Sequence, residues 1–211
     1  MHNARFFFGQ HRIESAFVRH SYDGVEEGNS VRTVTDKELL AQLRRGRRDA
    51  LRRVYERYKD AMLALAMTLC RDRPTAEDVV HDVFVAFAGL APTLLVWSNL
   101  RRYLLTAVVN RVRSLKRRSQ NNTDLADNGA GGHEAFDPAG SVMTAELLEH
   151  AYRAVTELPY EQRETIVLRL QAGLSFKQIA RVQAVPIGTV LSRYRYGVAK
   201  LRQRLDREVV R

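Results

Sequence analysis

The sequence predicts an all-α protein of two small helical domains, a helical bundle and a helix-turn-helix, joined by a flexible linker. From Asp36 to about Arg118, and again from about Val142 to the C-terminus, apolar residues recur every three or four positions, the period of helices with one buried face. Between Asn121 and Gly140 the composition turns to Asn, Asp, Gly and Ala with a proline near the end, as in a linker. No segment alternates with the period of a strand. The expected divisions are 1–34 for a poorly ordered extension, 35–118 for the first domain, 119–142 for the linker and 143–211 for the second domain.

The elements follow in order. Thr35 or Asp36 caps a first helix carrying Leu39, Leu40 and Leu43. A second runs from about Asp49 to Leu69, with Leu51, Val54, Tyr55, Tyr58, Met62, Leu65 and Leu69 along one stripe. Arg71-Asp72-Arg73-Pro74 breaks it, and Thr75 caps a third helix with Asp78 as the acidic capping-box partner. Its expected core stripe is Val79, Val80, Val83, Phe84 and Phe87. Leu90-Ala91-Pro92-Thr93 ends it, Trp97 sits in the connection, and Ser98 or Asn99 opens a fourth helix lasting to about Arg118. Leu158-Pro159 starts a helix that buries Ile166, Val167 and Leu170 and stops at Gly173. Ser175 caps a short helix, Phe176 to Val182, with Ile179 and Ala180 inward. Gln183-Ala184-Val185-Pro186 turns the chain into a long helix with Val190, Tyr194, Val198, Leu201 and Leu205 on one face.

Charge narrows the function. A formal net charge of +10 and 45% hydrophobic residues describe a folded chain with a polyanionic partner, for which DNA, RNA and anionic membrane all qualify. No apolar run approaches the roughly 20 residues of a spanning helix, and the N-terminal apolar stretch is too short for a secretory signal. The single cysteine, Cys70, excludes an intramolecular disulfide and a multi-cysteine zinc site, and its apolar surroundings suggest a buried, inert thiol. The protein is expected to be cytoplasmic.

Three surfaces carry the functional reading. In the last helix Gly188, Thr189, Ser192, Arg195 and Tyr196 lie opposite the core stripe, with Arg193 on the flank. A short helix, a tight turn and a longer helix would set that face in a major groove; an ordinary hairpin with a solvated basic face is the competing reading. On the fourth helix, Leu100, Leu104, Ala107, Val108 and Leu115 form the expected buried stripe. Asn99, Arg102, Thr106, Asn110, Arg113 and Arg117 run opposite, with no acidic residue anywhere in the helix. A solvated face usually mixes signs to gain i,i+4 pairs, so this ladder suits phosphates and unpaired bases; a basic end complementing the helix dipole accounts only for Lys116 to Arg118. The third helix reverses the sign: Asp78, His81, Asp82 and Val85 lie outward, with Glu77 at the margin. That face suits a protein partner, with solvent as the alternative. His81 has no second metal donor at a suitable spacing, and no metal or other cofactor is expected.

These pieces, in this order, resemble the extracytoplasmic-function (ECF) group of bacterial sigma factors over roughly residues 36–118 and 143–206. Ala76-Glu77-Asp78-Val79-Val80-His81-Asp82-Val83-Phe84 is similar to the group's AEDLVQEVF-type helix. Leu158-Pro159-Tyr160-Glu161-Gln162-Arg163-Glu164, Gly173-Leu174-Ser175-Phe176-Lys177-Gln178-Ile179-Ala180 and Val185-Pro186-Ile187-Gly188-Thr189-Val190 through Ser192-Arg193 are similar to its LPxxxRE…GLSxxEIA…VPxGTVxSR pattern. The resemblance implies a sigma region 2 domain whose Glu77, Asp78 and Asp82 contact the clamp coiled coil of the polymerase largest subunit. It implies that Arg102, Asn110, Arg113 and Arg117, with Trp97 or Asn99 as a stacking or base contact, hold the minus-ten element as it opens, and that a region 4 domain reads the minus-thirty-five element through Gly188, Thr189, Ser192, Arg193, Arg195 and Tyr196. Core RNA polymerase and promoter DNA are the implied partners, with an anti-sigma factor as regulator and no membrane.

The chain departs from the pattern at Leu191, where the group often has Lys, at Ala184, where it has a turn glycine, and at Arg195 to Leu201, where it has an arginine-rich FRARKKL segment. An autonomous helix-turn-helix regulator is the alternative, predicting a dimer on palindromic sites. An enzyme is not expected: the chain has no Gly-rich phosphate loop, metal-ligand cluster or Ser-His-Asp or Cys-His set. Because the sequence stops just after its last helix, a regulatory segment in cis is expected within residues 1–34, unless the start codon is misassigned.

Overall fold

The computed structural model describes residues 34–90, 99–122 and 150–209, and every regular element among them is helical. Expectations for residues 1–33, for Trp97 and Ser98, for the linker beyond Asn122 and for the helix beginning near Val142 lie outside the described residues. The chain divides into two compact units, each described by itself. The first holds α1 (Asp36–Arg44), α2 (Arg48–Cys70), α3 (Arg73–Leu90) and α4 (Leu100–Asn122). The second holds α5, described over 150–156, α6 (Tyr160–Leu170), α7 (Phe176–Gln183) and α8 (Ile187–Val209).

Thr35 opens α1 through a capping box, its hydroxyl accepting from Glu38 N–H and its own N–H donating to the Glu38 carboxylate at 2.7 Å. The helix buries Leu39, Leu40 and Leu43 against α2. Tyr58 of α2 donates its hydroxyl to Asp36 at 2.7 Å, beside an Arg57–Asp36 ion pair of 2.9 Å. Burial, then the Asp36 carboxylate, push the Tyr58 hydroxyl well above the usual phenol range. On α2, Ala50, Val54, Met62, Leu65 and Ala66 are fully buried, each large side chain contributing roughly 1.5–3 kcal/mol.

Several local expectations are corrected. Tyr55 is 41% exposed and Leu51 half-buried, so the α2 stripe is narrower at its start. Cys70 ends α2 half-buried rather than buried. The break after α2 is only Arg71 and Asp72, with Arg71 in the left-handed region at φ 64°. Asp72, not Thr75, caps α3: its carboxylate accepts from Thr75 N–H at 3.1 Å. Pro74 sits in the first turn, where a missing N–H leaves no intrahelical bond unmade. Phe84 is half-buried, its ring edge-on to Tyr55 at 4.8 Å, and Ala76 joins the buried stripe.

Asn99 opens α4, its amide oxygen accepting from Arg102 N–H at 2.8 Å. The buried residues are Leu100, Leu104, Leu105, Val108, Val109 and Val112, while Ala107 and Leu115 are half-buried. The stripe is wider than expected because α4 packs against both α2 and α3. The helix also continues past Arg118 to Asn122; the first Gly or Pro after Arg118 is Gly129, so nothing in the intervening residues forbids another turn.

In the second unit α6 and α7 both pack on α8. Pro159 precedes α6, and Gly173, at φ 65°, turns the chain out of it. Leu170 is half-buried and Leu168 takes its expected core place. Ser175 and Gln178 form the capping box of α7, which extends to Gln183 and buries Ile179, with Ala180 half-buried. Ala184 then adopts φ 53°, a conformation that costs an L-residue about 1–2 kcal/mol. Ala184→Gly is therefore expected to raise stability by about 0.5–1 kcal/mol after the extra freedom of the unfolded glycine is subtracted, read as a higher urea midpoint. Val190, Val198 and Leu201 of α8 are buried, with Tyr194 and Leu205 half-buried. Gly197 lets α8 approach α6 closely: a Cβ there would lie 2.7 Å from Ile166 Cδ1. Gly197→Leu should destabilise by roughly 1–3 kcal/mol through overpacking, checked by the same titration.

Candidate nucleic-acid interface and docking face

The α3 helix presents its carboxylates unequally. Glu77 is paired with Arg73 one turn back at 2.8 Å, both side chains more than half exposed, a contact of about 0–1 kcal/mol in water. Asp82 accepts from the Arg111 guanidinium of α4 at 2.5 and 2.9 Å, which joins the two helices. Asp78 is exposed and has no ion-pair partner among the described residues. Around it His81 and Ala86 are exposed, and Val85 is 57% exposed. The outward face therefore combines one unneutralised carboxylate with apolar surface, and Arg111 was not foreseen in it because it lies 29 residues from Asp82.

The opposite sign runs along α4. Asn99, Asn110 and Arg117 are exposed, and Arg102, Thr106 and Arg113 are half-buried. Thr106 donates its hydroxyl to Arg102 O at 2.7 Å, and the Asn99 amide oxygen is committed to the cap. Arg102 Nε is shielded from solvent without a hydrogen-bond partner among the described residues. Asn110, Arg113 and Arg117 occur at helical spacing along one side of α4. Lys116 is half-buried and Arg118 exposed beside it. A strip of this kind neutralises phosphates and leaves the asparagine amide free to recognise a base edge.

In the second unit the turn between α7 and α8 is held by a buried polar network. Gln183, at the end of α7, donates to Glu164 at 2.7 Å and to Thr165 at 3.0 Å, both on α6. Its carbonyl oxygen accepts from Arg193 of α8 at 3.0 Å. Tyr160 donates to Glu164 at 3.2 Å, and Arg163 donates to Thr156 O at 2.5 Å. Glu164 is 1% and Arg163 5% exposed. These groups fix the angle at which α8 leaves α7, since buried polar groups tolerate few other partners.

Of the residues expected on the reading face, Gly188, Thr189, Arg195 and Tyr196 are exposed, Ser192 is half-buried, and Arg193 has one guanidinium nitrogen turned to Gln183. The Arg195 guanidinium lies 5.2 Å from the centre of the Tyr196 ring. A Cβ on Gly188 would meet nothing within 4 Å, so that glycine leaves room at the surface rather than relieving a clash within the fold. Sequence reasoning passed over Lys177 and Arg181, both exposed on α7. The first helix of such a pair crosses the DNA backbone, and basic residues there were the available signal. Among the described residues no group of three or more His, Cys, Asp or Glu could hold a metal ion, and no helix is long and apolar enough to cross a membrane.

Comparison with known proteins agrees with this layout. The family model for Sigma-70 region 2 matches residues 54–122, and that for Sigma-70, region 4 matches residues 154–203. The chain is similar to the RNA polymerase sigma-H factor of Pseudomonas aeruginosa, 26% identical over 182 residues, covering 82% of this chain and 92% of that protein. It is similar to the ECF RNA polymerase sigma-E factor of Escherichia coli K12, 24% identical, over 83% and 95% of the two chains. Among solved structures it resembles the sigma factor RpoE from Bartonella quintana in complex with the anti-sigma factor NepR, with a TM-score of 0.57, 26% identity, and coverage of 74% of this chain and 96% of that one.

Proposed function

This chain belongs to the sigma-70 family, in its ECF group, and from that premise we propose how its residues divide the work of initiation. It is a promoter-recognising sigma factor that binds core RNA polymerase and catalyses nothing itself. The exposed face of α3, centred on Asp78 with Glu77 and Asp82 beside it, docks on the clamp coiled coil of the largest polymerase subunit. Asn110, Arg113 and Arg117 of α4, with Arg102 and Asn99 nearer its start, hold the non-template strand of the minus-ten element. Unstacking a base costs a few kcal/mol, which contacts to the freed base and its phosphates offset. Gly188, Thr189, Ser192, Arg195 and Tyr196 of α8 enter the major groove of the minus-thirty-five element, with Arg193 on the flank and Lys177 and Arg181 on the adjoining phosphates.

The observation that carries this reading is the outward sign of two neighbouring helices, Asp78 unneutralised on α3 and an acid-free basic strip on α4. The RpoE structure holds an anti-sigma protein, and we extend that regulation to this chain, acting in the cytoplasm. Run-off transcription with core polymerase on a pool of genomic fragments tests the function. Discrete transcripts that require this protein are expected; tight, specific binding to a palindromic duplex that core polymerase does not change would contradict it.

A further inference from the structure

Among the described residues of the second unit, the large apolar side chains that are exposed are Ile187, Leu191 and Tyr196, all on α8. Ile187 is the first residue of that helix and Leu191 lies one turn on, 49% and 46% exposed. The N-terminal residues of a recognition helix are those that meet base edges, and here two of them offer hydrocarbon where hydrogen-bonding groups would read most sequences. The polar readers nearby are few: Thr189 and Ser192 are short, Gly188 has no side chain, and Arg193 bonds inward to Gln183. The major groove displays one apolar feature, the C5-methyl of thymine. Lys177 and Arg181 on α7 and Arg195 on α8 are exposed, and such charges bring a duplex to the surface.

We propose that Leu191, with Ile187 beside it, reads thymine methyl groups in the minus-thirty-five element, so that this chain selects A·T pairs under the first turns of α8. The inference rests on the reading that α8 enters that duplex, and it adds the determinant of base choice.

The test uses the holoenzyme formed from the full chain and core polymerase. A duplex is selected from a pool randomised across the minus-thirty-five region, and each thymine is then replaced in turn by deoxyuridine, which removes only the methyl. Replacement at one or two positions should weaken binding about fourfold, the worth of one methyl removed from water. Leu191→Ala should abolish that penalty at its own position and leave the others, and Leu191→Lys should shift the selected base there toward guanine. A deoxyuridine penalty that is absent everywhere, or is the same in the chain and in Leu191→Ala, would overturn the proposal and leave the apolar pair to a protein partner; sigma function would stand, because the thymine duplex is bound in each case. Failure of the holoenzyme to select any duplex would remove the functional reading itself and the proposal with it.

Discussion

Glu164→Ala is expected to lower the thermal midpoint of the C-terminal unit by about 12 °C or more and to abolish minus-thirty-five recognition. Glu164 is 1% exposed and receives hydrogen bonds from Gln183 at 2.7 Å and Tyr160 at 3.2 Å. Removing it leaves the Gln183 amide donor and the Tyr160 hydroxyl without the carboxylate that accepts from both in the interior. Losing one partner of such a buried set costs about 3–5 kcal/mol, a large part of a stability of about 5–15 kcal/mol. Because Gln183 bridges α6 and α8, the loss also frees the angle of the reading helix. Hydrogen exchange over α7 and α8 in the full chain should speed up in parallel. A midpoint shift of only a degree or two would show that the network is not what orders the turn.

Asp78→Arg is expected to weaken assembly with core polymerase about tenfold or more while leaving the unfolding midpoint unchanged. The three carboxylates of α3 are not equivalent tests. Reversing Glu77 also breaks its pair with Arg73, and reversing Asp82 sets it against Arg111 and strains the joint between α3 and α4. Asp78 has neither complication, so a change in affinity there reports on the docked surface. Competition binding against the unaltered chain, at two salt concentrations, measures it; the loss should shrink as salt rises, because exposed charges are screened over about 10 Å at 0.1 M. Equal affinity of both proteins would remove the α3 face from the polymerase interface.

What the sequence disclosed follows a physical divide between local and non-local determinants. Thr35, as one of two candidate caps, and Ser175 were legible because a cap is set by residues within one turn, although the Glu38 and Gln178 halves of their capping boxes were not read. The helix-turn-helix was legible for the same reason, its turn residues and apolar periods being contiguous. At α3 the local signal was ambiguous: Asp72 and Thr75 can both cap, and reading Pro74 as a breaker hid its tolerated place in a first turn. The width of the α4 stripe was hidden because periodicity reports that a face is buried, not how many neighbours bury it. Asp82 with Arg111, and Glu164 with Gln183, escaped because ionic and amide residues read as surface unless their partners are known, and these partners lie 29 and 19 residues away. The outward position of Asn110 and Arg117 followed from their place opposite the apolar stripe of the same helix.

In the proposed division of labour, the negative face of α3 meets the polymerase and the positive face of α4 the opened strand. The most direct measurement of that division is strand separation at the minus-ten element, read as fluorescence of a base analogue, with core polymerase present. The combined Asn110→Ala, Arg113→Ala and Arg117→Ala protein is compared with the unaltered chain. It should assemble with polymerase at unchanged affinity and open the duplex at least about tenfold less well. Equal opening by both, or a loss that is entirely one of assembly, would contradict the account.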